Sequence, residues 1–407
     1  VPLQLDRILA TPVAGDTVGA PPGADTTVGG VADHGWTLRD LSTPVVTLRA
    51  SAIAHNLAVM QDWIAAHGVE LFPHGKTTMA PQLWDRQLAA GAGGITAATP
   101  AQLRAMHAVG VPGLLLANEL VDADAIGWVA RSSGGAAFAC WVDAVDGVTL
   151  LADALRSVAA RAPVRVLVEV GHAGGRTGAR SVEAAVGVAE AAARRPELSL
   201  VGVAGYEGTI GHERTPAVLG EVDAFVERLG DVAERLGSAG LVDDVPLISA
   251  GGSLFFDRVA ALAGRGRVVI RAGCTITHDH GLYERGSPFT GGPGPRFRPA
   301  IEAWGSVLSR PEPEVVVIGL GKRDVPSDIE PPIPLRVRDD DRSLDGVVVE
   351  RLMDQHAICR LPAALRLAPG EVVAFGISHP CAAFDRRRVL FELDDDDGVV
   401  GAIATRF

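Results

Sequence analysis

Leu71-Phe72-Pro73-His74-Gly75-Lys76-Thr77-Thr78-Met79-Ala80-Pro81 begins as a short apolar strand and ends as a polar turn. A lysine stands where one becomes the other, and Gly75 leaves room beside it. A strand end opening onto a loop is where a barrel or an open α/β sheet places its reactive groups. The lysine is also rare: Lys76 and Lys322 are the only two among 37 basic side chains, the rest being arginine. Arginine keeps its proton under all conditions, so a lysine is needed only where an amine must lose one. Lys76 fits that need. Lys322, in the polar loop Gly321-Lys322-Arg323-Asp324, suits a structural or interface role.

Outward from this segment the pattern becomes regular. Short apolar runs occur at 71–76, 94–99, 113–119, 137–143, 164–170, 200–208, 247–252 and 267–274. Helical segments separate most of them. The clearest is 217–238, where Val218, Val222, Phe225, Leu229, Val232 and Leu236 mark one face. Eight strands alternating with helices over about 230 residues is the period of a (β/α)8 barrel. A doubly wound open sheet is the competing architecture, and the count of eight favours the barrel.

Upstream, Thr43 to Leu48 reads as a strand, and Ile53, Leu57, Met60 and Ile64 are spaced for one buried helical face. Residues 11–35 lack periodicity and suggest an extended arm or loop. Beyond about residue 300, strand-like runs at 314–320, 347–352, 371–377, 388–393 and 398–405 indicate a second, mostly β domain. The expected division is an arm over 1–42 that joins the β domain, a barrel over 43–300, and the β domain over 301–407. Asp394 to Asp397, followed by Gly398, lies between two strands and fits a solvated hairpin turn better than a cation site.

Composition narrows the function. A net charge of −12 without a basic stripe argues against a nucleic-acid partner. No apolar run approaches the roughly twenty residues of a membrane span, and no basic-then-apolar leader opens the sequence. Cys140, Cys274, Cys359 and Cys381 form no disulfide framework. These features suit a cytoplasmic protein.

The loops expected after strands seven and eight are Ser249-Ala250-Gly251-Gly252-Ser253 and Ala272-Gly273-Cys274-Thr275. Phosphate commonly binds there, because glycine lets backbone N–H groups approach an anion closely. A lysine at strand one facing such a cup suggests pyridoxal 5′-phosphate, with the amine joined to its aldehyde. Other strand ends offer Asp143, Glu169 with Arg176, and Tyr206-Glu207-Gly208. A guanidinium can pair with the cofactor's phenolate oxygen and a tyrosine can border its ring. A surface salt bridge and a half-buried phenol are the plainer readings of Arg176 and Tyr206.

Seven segments in order carry a resemblance. They are Asp40-Leu41-Ser42-Thr43-Pro44, Pro73-His74-Gly75-Lys76-Thr77, Gly174-Gly175-Arg176-Thr177-Gly178 and Gly205-Tyr206-Glu207-Gly208, followed by Gly321-Lys322-Arg323-Asp324, Asp354-Gln355-His356 and Ser378-His379-Pro380-Cys381. From about residue 40 onward the chain resembles the fold-type III pyridoxal-phosphate enzymes. The likeness is to their D-serine dehydratase and D-threonine aldolase branch, and most of all to bacterial amino-acid deaminases of the D-serine deaminase type. The resemblance implies an alanine-racemase-like barrel with Lys76 holding the cofactor. Arg176, Tyr206, Ser249, Gly251, Gly252, Gly273 and Cys274 would line it, His379 and Cys381 would bind a metal, and the enzyme would be a homodimer. Gly171 departs from the pattern, since many relatives carry aspartate there.

The metal pair has its own chemical logic. Residues two apart on a strand share a face, and imidazole with thiolate favours zinc over harder cations. Two protein ligands leave positions for water and substrate. His278 and His280 lie just past strand eight in the loop Thr277-His278-Asp279-His280-Gly281-Leu282-Tyr283, which either borders the site or is solvated. The function expected is a pyridoxal-phosphate- and zinc-dependent dehydratase. It would convert a small D-3-hydroxyamino acid such as D-serine or D-threonine to a 2-keto acid and ammonia. The alternatives are a D-threonine aldolase, an amino-acid racemase and a non-catalytic pyridoxal-phosphate-binding protein. In the aldolase relatives the second metal ligand resembles a carboxylate, so Cys381 favours elimination.

Overall fold

The computed structural model describes residues 2–132, 138–242, 245–290 and 295–407. Eight parallel strands form one sheet: Glu70–Leu71, Ile95–Ala97, Leu114–Glu119, Phe138–Val142, Val164–Val170, Leu198–Gly205, Leu247–Ala250 and Arg267–Ile270. From the second strand onward each pairs with its sequence neighbour, and the last pairs with the first. A parallel bridge from His74 to Thr96 joins strands one and two. The Thr96 amide also donates to the Pro73 carbonyl at 2.9 Å, and the sheet closes into a barrel. Residue 137 of the run 137–143 lies outside the described residues.

Alternation along the strands builds two layers. Leu115, Ala139, Trp141, Leu167, Leu247 and Val269 pack together in one cluster. Their neighbours Cys140, Val166, Val168 and Ile248 belong to the larger core shared with the helices. In helix Pro216–Ser238, Thr215 caps the first turn by accepting from the Val218 amide at 3.3 Å, and Pro216 holds the first helical position. Val222, Phe225, Leu229, Val232 and Leu236 are buried as their spacing predicts, while Val218 is only partly covered.

The second domain is a mixed, mostly antiparallel sheet organised around the long strand Ile301–Glu312. Three features differ from the sequence expectation. Strand Val45–Arg49 does not lead into the barrel sheet: it pairs with Ile301–Glu312 on one side and Val389–Leu393 on the other. Residues 11–35 are folded, with paired strands Pro12–Ala14 and Asp25–Thr27 and a 3-10 helix Val28–His34. Val13, Val28 and Val31 of this arm share a core with Trp304 and Phe391, and so few apolar anchors carry no period. Strands Ile301–Glu312, Ile333–Val337, Asp340–Ser343 and Ala357–Arg360 were not expected as such. The acidic run is a hairpin turn, with Asp394 Oδ1 accepting from the amides of Asp396 and Gly398. Among the described residues, no helix is long and apolar enough to cross a membrane.

Candidate active site

Lys76 sits in the 3-10 turn Gly75–Thr77, directly after the His74–Thr96 closure. A Cβ on Gly75 would fall 2.5 Å from Met106 Cε and 2.6 Å from Ile95 Cγ2. A Cβ on Gly273 would fall 2.6 Å from the His74 carbonyl oxygen. These two glycines let the ends of strands one and eight meet beside the lysine. Lys76 opens on a cavity of about 270 Å³ at the barrel mouth, bounded on the far side by His379 and Cys381 of the β domain. Among the described residues, no carboxylate pairs with its amine.

Two charge arrangements shape the cavity. Arg271, at the end of strand eight, is buried. Its Nη1 donates to Ser249 Oγ at 2.8 Å and its Nη2 to the Gly205 carbonyl at 2.6 Å, while buried Nε has no partner. Burial, then the charges of Lys76, Arg271 and Arg176, hold the His74 imidazole well below its usual range, so it is neutral. Glu169 reaches the cavity, and carboxylate oxygens of Glu119, Asp143 and Glu169 lie within 4.8 Å of one another. Burial, then the hydrogen bond and charge of Glu169, push Glu119 up to about 8. Glu119 therefore keeps its proton at neutral pH. Tyr206 lies with the Arg176 guanidinium 4.8 Å from its ring centroid, and burial raises its phenol to about 12.

The β-domain side presents sulfur and nitrogen. His379 has a left-handed backbone (φ 83°) and precedes the short helix Pro380–Phe384, on which Cys381 stands. His379 and Cys381 are therefore not on a strand, and strand alternation is not what brings them together. The His379 amide donates to Asp279 Oδ2 at 3.0 Å, and its Nδ1 lies 2.6 Å from Asp328 Oδ2. A hydrogen bond with Cys381 and the Cys381 and Asp328 charges outweigh burial and raise His379 to about 9. Hydrogen bonds with Cys274, then His379 and Thr77, hold the Cys381 thiol well below its ordinary range. A thiolate beside an imidazole whose other nitrogen rests on a carboxylate is a donor set that suits zinc. An unpaired amine, an orphaned guanidinium Nε and aromatic walls equally suit pyridoxal phosphate.

Comparison with known proteins agrees with this geometry. Residues 48–259, just over half of the chain, match the family "Alanine racemase, N-terminal domain", and residues 300–392 match the "Putative serine dehydratase domain". The chain belongs to the fold-type III pyridoxal-phosphate family of D-amino-acid enzymes. It is 26% identical to the D-threonine aldolase of an Arthrobacter species over 353 residues, which is 84% of this chain and 88% of that one. The solved D-threonine aldolase of Filomicrobium marinum superposes with a TM-score of 0.78 at 27% identity, covering 91% and 96% of the two chains. The D-threo-3-hydroxyaspartate dehydratase of Delftia sp. HT23 shares the fold with a TM-score of 0.75 at 22% identity, covering 91% and 99%.

Within this fold-type III barrel, Lys76, Arg176, Tyr206, Gly252, Gly273, Cys274, His379 and Cys381 line one cavity. Ser249 and Gly251 do not. The Ser249 hydroxyl holds Arg271, and the Gly251 and Gly252 amides donate to buried Glu207 at 3.2 and 2.5 Å. These two amides are thus already spent on an internal carboxylate, which leaves Ser253 and the Gly273 loop as the rim there. Gly171 has a local cause: a Cβ would lie 2.1 Å from Arg180 Nη1 and 2.3 Å from the Thr177 carbonyl. Glu169 lines the cavity, while His172 turns to Thr209 Oγ1 at 2.8 Å. His278 is buried and His280 half-buried, and neither lines the cavity. Tyr283, at the end of the loop past strand eight, and His74 of the lysine motif border the cavity, and Arg271 and Trp141 do so without having been singled out from sequence. For Tyr283 a signal existed, since the chain has only two tyrosines and both are here.

Proposed function

We propose that the protein is a pyridoxal-phosphate-dependent lyase of D-3-hydroxyamino acids, and that it expels the β-hydroxyl to give a 2-keto acid and ammonia. The observation that carries this reading is that one cavity holds the Lys76 amine on the barrel side and the His379–Cys381 pair on the β-domain side. Lys76, Arg176, Tyr206 and Gly273 would hold the cofactor, and His379 with Cys381 would hold a divalent ion, zinc by ligand chemistry. When bound, pyridoxal phosphate supplies a sink for the electron pair left at Cα, and zinc supplies positive charge at the departing oxygen.

The chain's own groups do the rest. Lys76 Nζ moves the proton at Cα. Asp328 fixes the His379 ring through Nδ1, which leaves the other ring nitrogen for the ion. Neutral His74 cannot compete as a cation for a substrate carboxylate, so that role falls to Arg176 or Arg271. Retro-aldol cleavage is the second reading, favoured by the aldolase relatives that match over most of the chain.

The test is product analysis with D-serine and D-threonine, with zinc added or removed. Expected are pyruvate from D-serine, 2-oxobutanoate from D-threonine and release of ammonia. Chelation should abolish turnover without removing the absorbance of the Lys76-bound cofactor, and Lys76→Ala should lack both. Glycine and acetaldehyde from D-threonine would instead establish the aldolase reading. Borohydride reduction followed by mass spectrometry should place the cofactor on position 76.

A further inference from the structure

The proposed metal pair supplies two protein ligands, where catalytic zinc sites ordinarily have three and an open fourth position. We infer that Cys274, from the strand-eight loop of the barrel, is the third. This rests on the metal reading given above and extends it across the two domains.

Cys274 and Cys381 are 107 residues apart in sequence, yet their sulfurs lie 3.6 Å from each other. Two thiolates on one tetrahedral zinc, each at about 2.3 Å, are separated by about 3.8 Å. The sulfurs therefore already stand at the edge length that a shared ion requires. Thr77 Oγ1, next to Lys76, lies 3.8 Å from the Cys274 sulfur and 3.5 Å from that of Cys381, bracing both. Both cysteines line the cavity, while the other two, Cys140 and Cys359, are buried elsewhere. His379 reaches the Cys381 sulfur, and the three donors do not yet form a closed triangle. A shared ion would take its nitrogen donor from His379, whose Nδ1 rests on Asp328. The resulting set, two thiolates and an imidazole with one open position, is that of a catalytic rather than a structural zinc.

Neither barrel nor β domain alone then holds the ion. Cys274 belongs to the loop that also abuts the lysine turn, through the Gly273 contact with the His74 carbonyl. Ion occupancy would thereby fix the β-domain helix Pro380–Phe384 against the cofactor-bearing end of the barrel.

The test is titration of the full-length holoprotein with cobalt(II), which replaces zinc and reports thiolate ligands by a near-ultraviolet charge-transfer band. Cys274→Ser and Cys381→Ser should each lose about half of that band, and the double variant all of it, with His379→Ala keeping most of it. X-ray absorption of the zinc form should count two sulfurs in the wild type and one in Cys274→Ser. The cofactor absorbance checks that each variant is folded. A Cys274→Ser band equal to that of wild type, or one sulfur in the wild-type zinc form, overturns the inference. Wild-type protein that takes up no cobalt or zinc at all would sink the metal reading itself, which keeps the two failures apart.

Discussion

At the scale of single residues, Glu119 is a strongly perturbed group outside the metal end. Its folded-state value of about 8 lies above the ordinary 4.5, because burial and Glu169 disfavour its charge. The folded protein therefore keeps a proton that the unfolded chain has released. The associated stability is full below about pH 4.5 and is lost as pH rises through about 8. Glu119→Gln removes the titration, so its denaturation midpoint should fall less between about pH 5 and about pH 9 than that of wild type. Equal slopes would show that the proton resides elsewhere. Rarity made Lys76 legible, because two lysines in the chain invite a chemical question of each. The same rule applied to tyrosine would have found Tyr283. Arg271 was hidden for the opposite reason, being one arginine among many. Asp279 could not be read at all: its carboxylate gathers the amides of Gly281, Tyr283 and Glu284 and reaches His379 a hundred residues away. That role exists only once the chain has folded.

Among elements, the segment from Ser378 to Arg388 decides how the metal end is held. His-x-Cys spacing suggested a strand, but Pro380 takes the first position of a short helix and His379 turns left-handed before it. The two side chains meet by a helix start and not by alternation. The helix is anchored by Arg387, whose Nη2 meets Asp324 Oδ1 at 3.0 Å with both side chains 5% exposed. Asp324 also accepts from the Gly321 amide at 2.9 Å, which accounts for the Gly321–Asp324 motif as an anchor and places Lys322 outside the chemistry. Removing one partner of a buried pair strands the other charge. Asp324→Ala should therefore cost about 3–5 kcal/mol in a denaturation experiment. The double change Asp324→Leu with Arg387→Met should cost clearly less, since no charge is left unpaired. A double variant as unstable as Asp324→Ala would mean that packing and not charge anchors the helix.

For the whole molecule, the barrel was legible because its signal repeats: eight apolar runs at a regular spacing outvote any one misread run. The β domain was read only in part, because its strands alternate weakly and its core is completed by residues from the other end of the chain. Val45, Val46 and Leu48 are buried in a strand flanked by Ile301–Glu312 and Val389–Leu393. Trp304 seals that junction with its indole N–H on Thr47 Oγ1 at 2.9 Å. The chain therefore enters the β domain first, crosses into the barrel through helix Ala50–His67, and returns. That helix itself gives Ala52 and Ile53 to the β-domain core and Met60 and Ile64 to the barrel core. A sequence boundary at 43 cannot be a folding boundary under this arrangement. A chain ending at residue 299 would expose strand Val45–Arg49 on both edges, together with the arm that packs on the missing sheet. Such a fragment should aggregate, and any soluble part should unfold without a cooperative transition when followed by circular dichroism. A soluble, cooperatively folding 1–299 fragment would show instead that the barrel is autonomous and that the interleaved termini contribute only local stability.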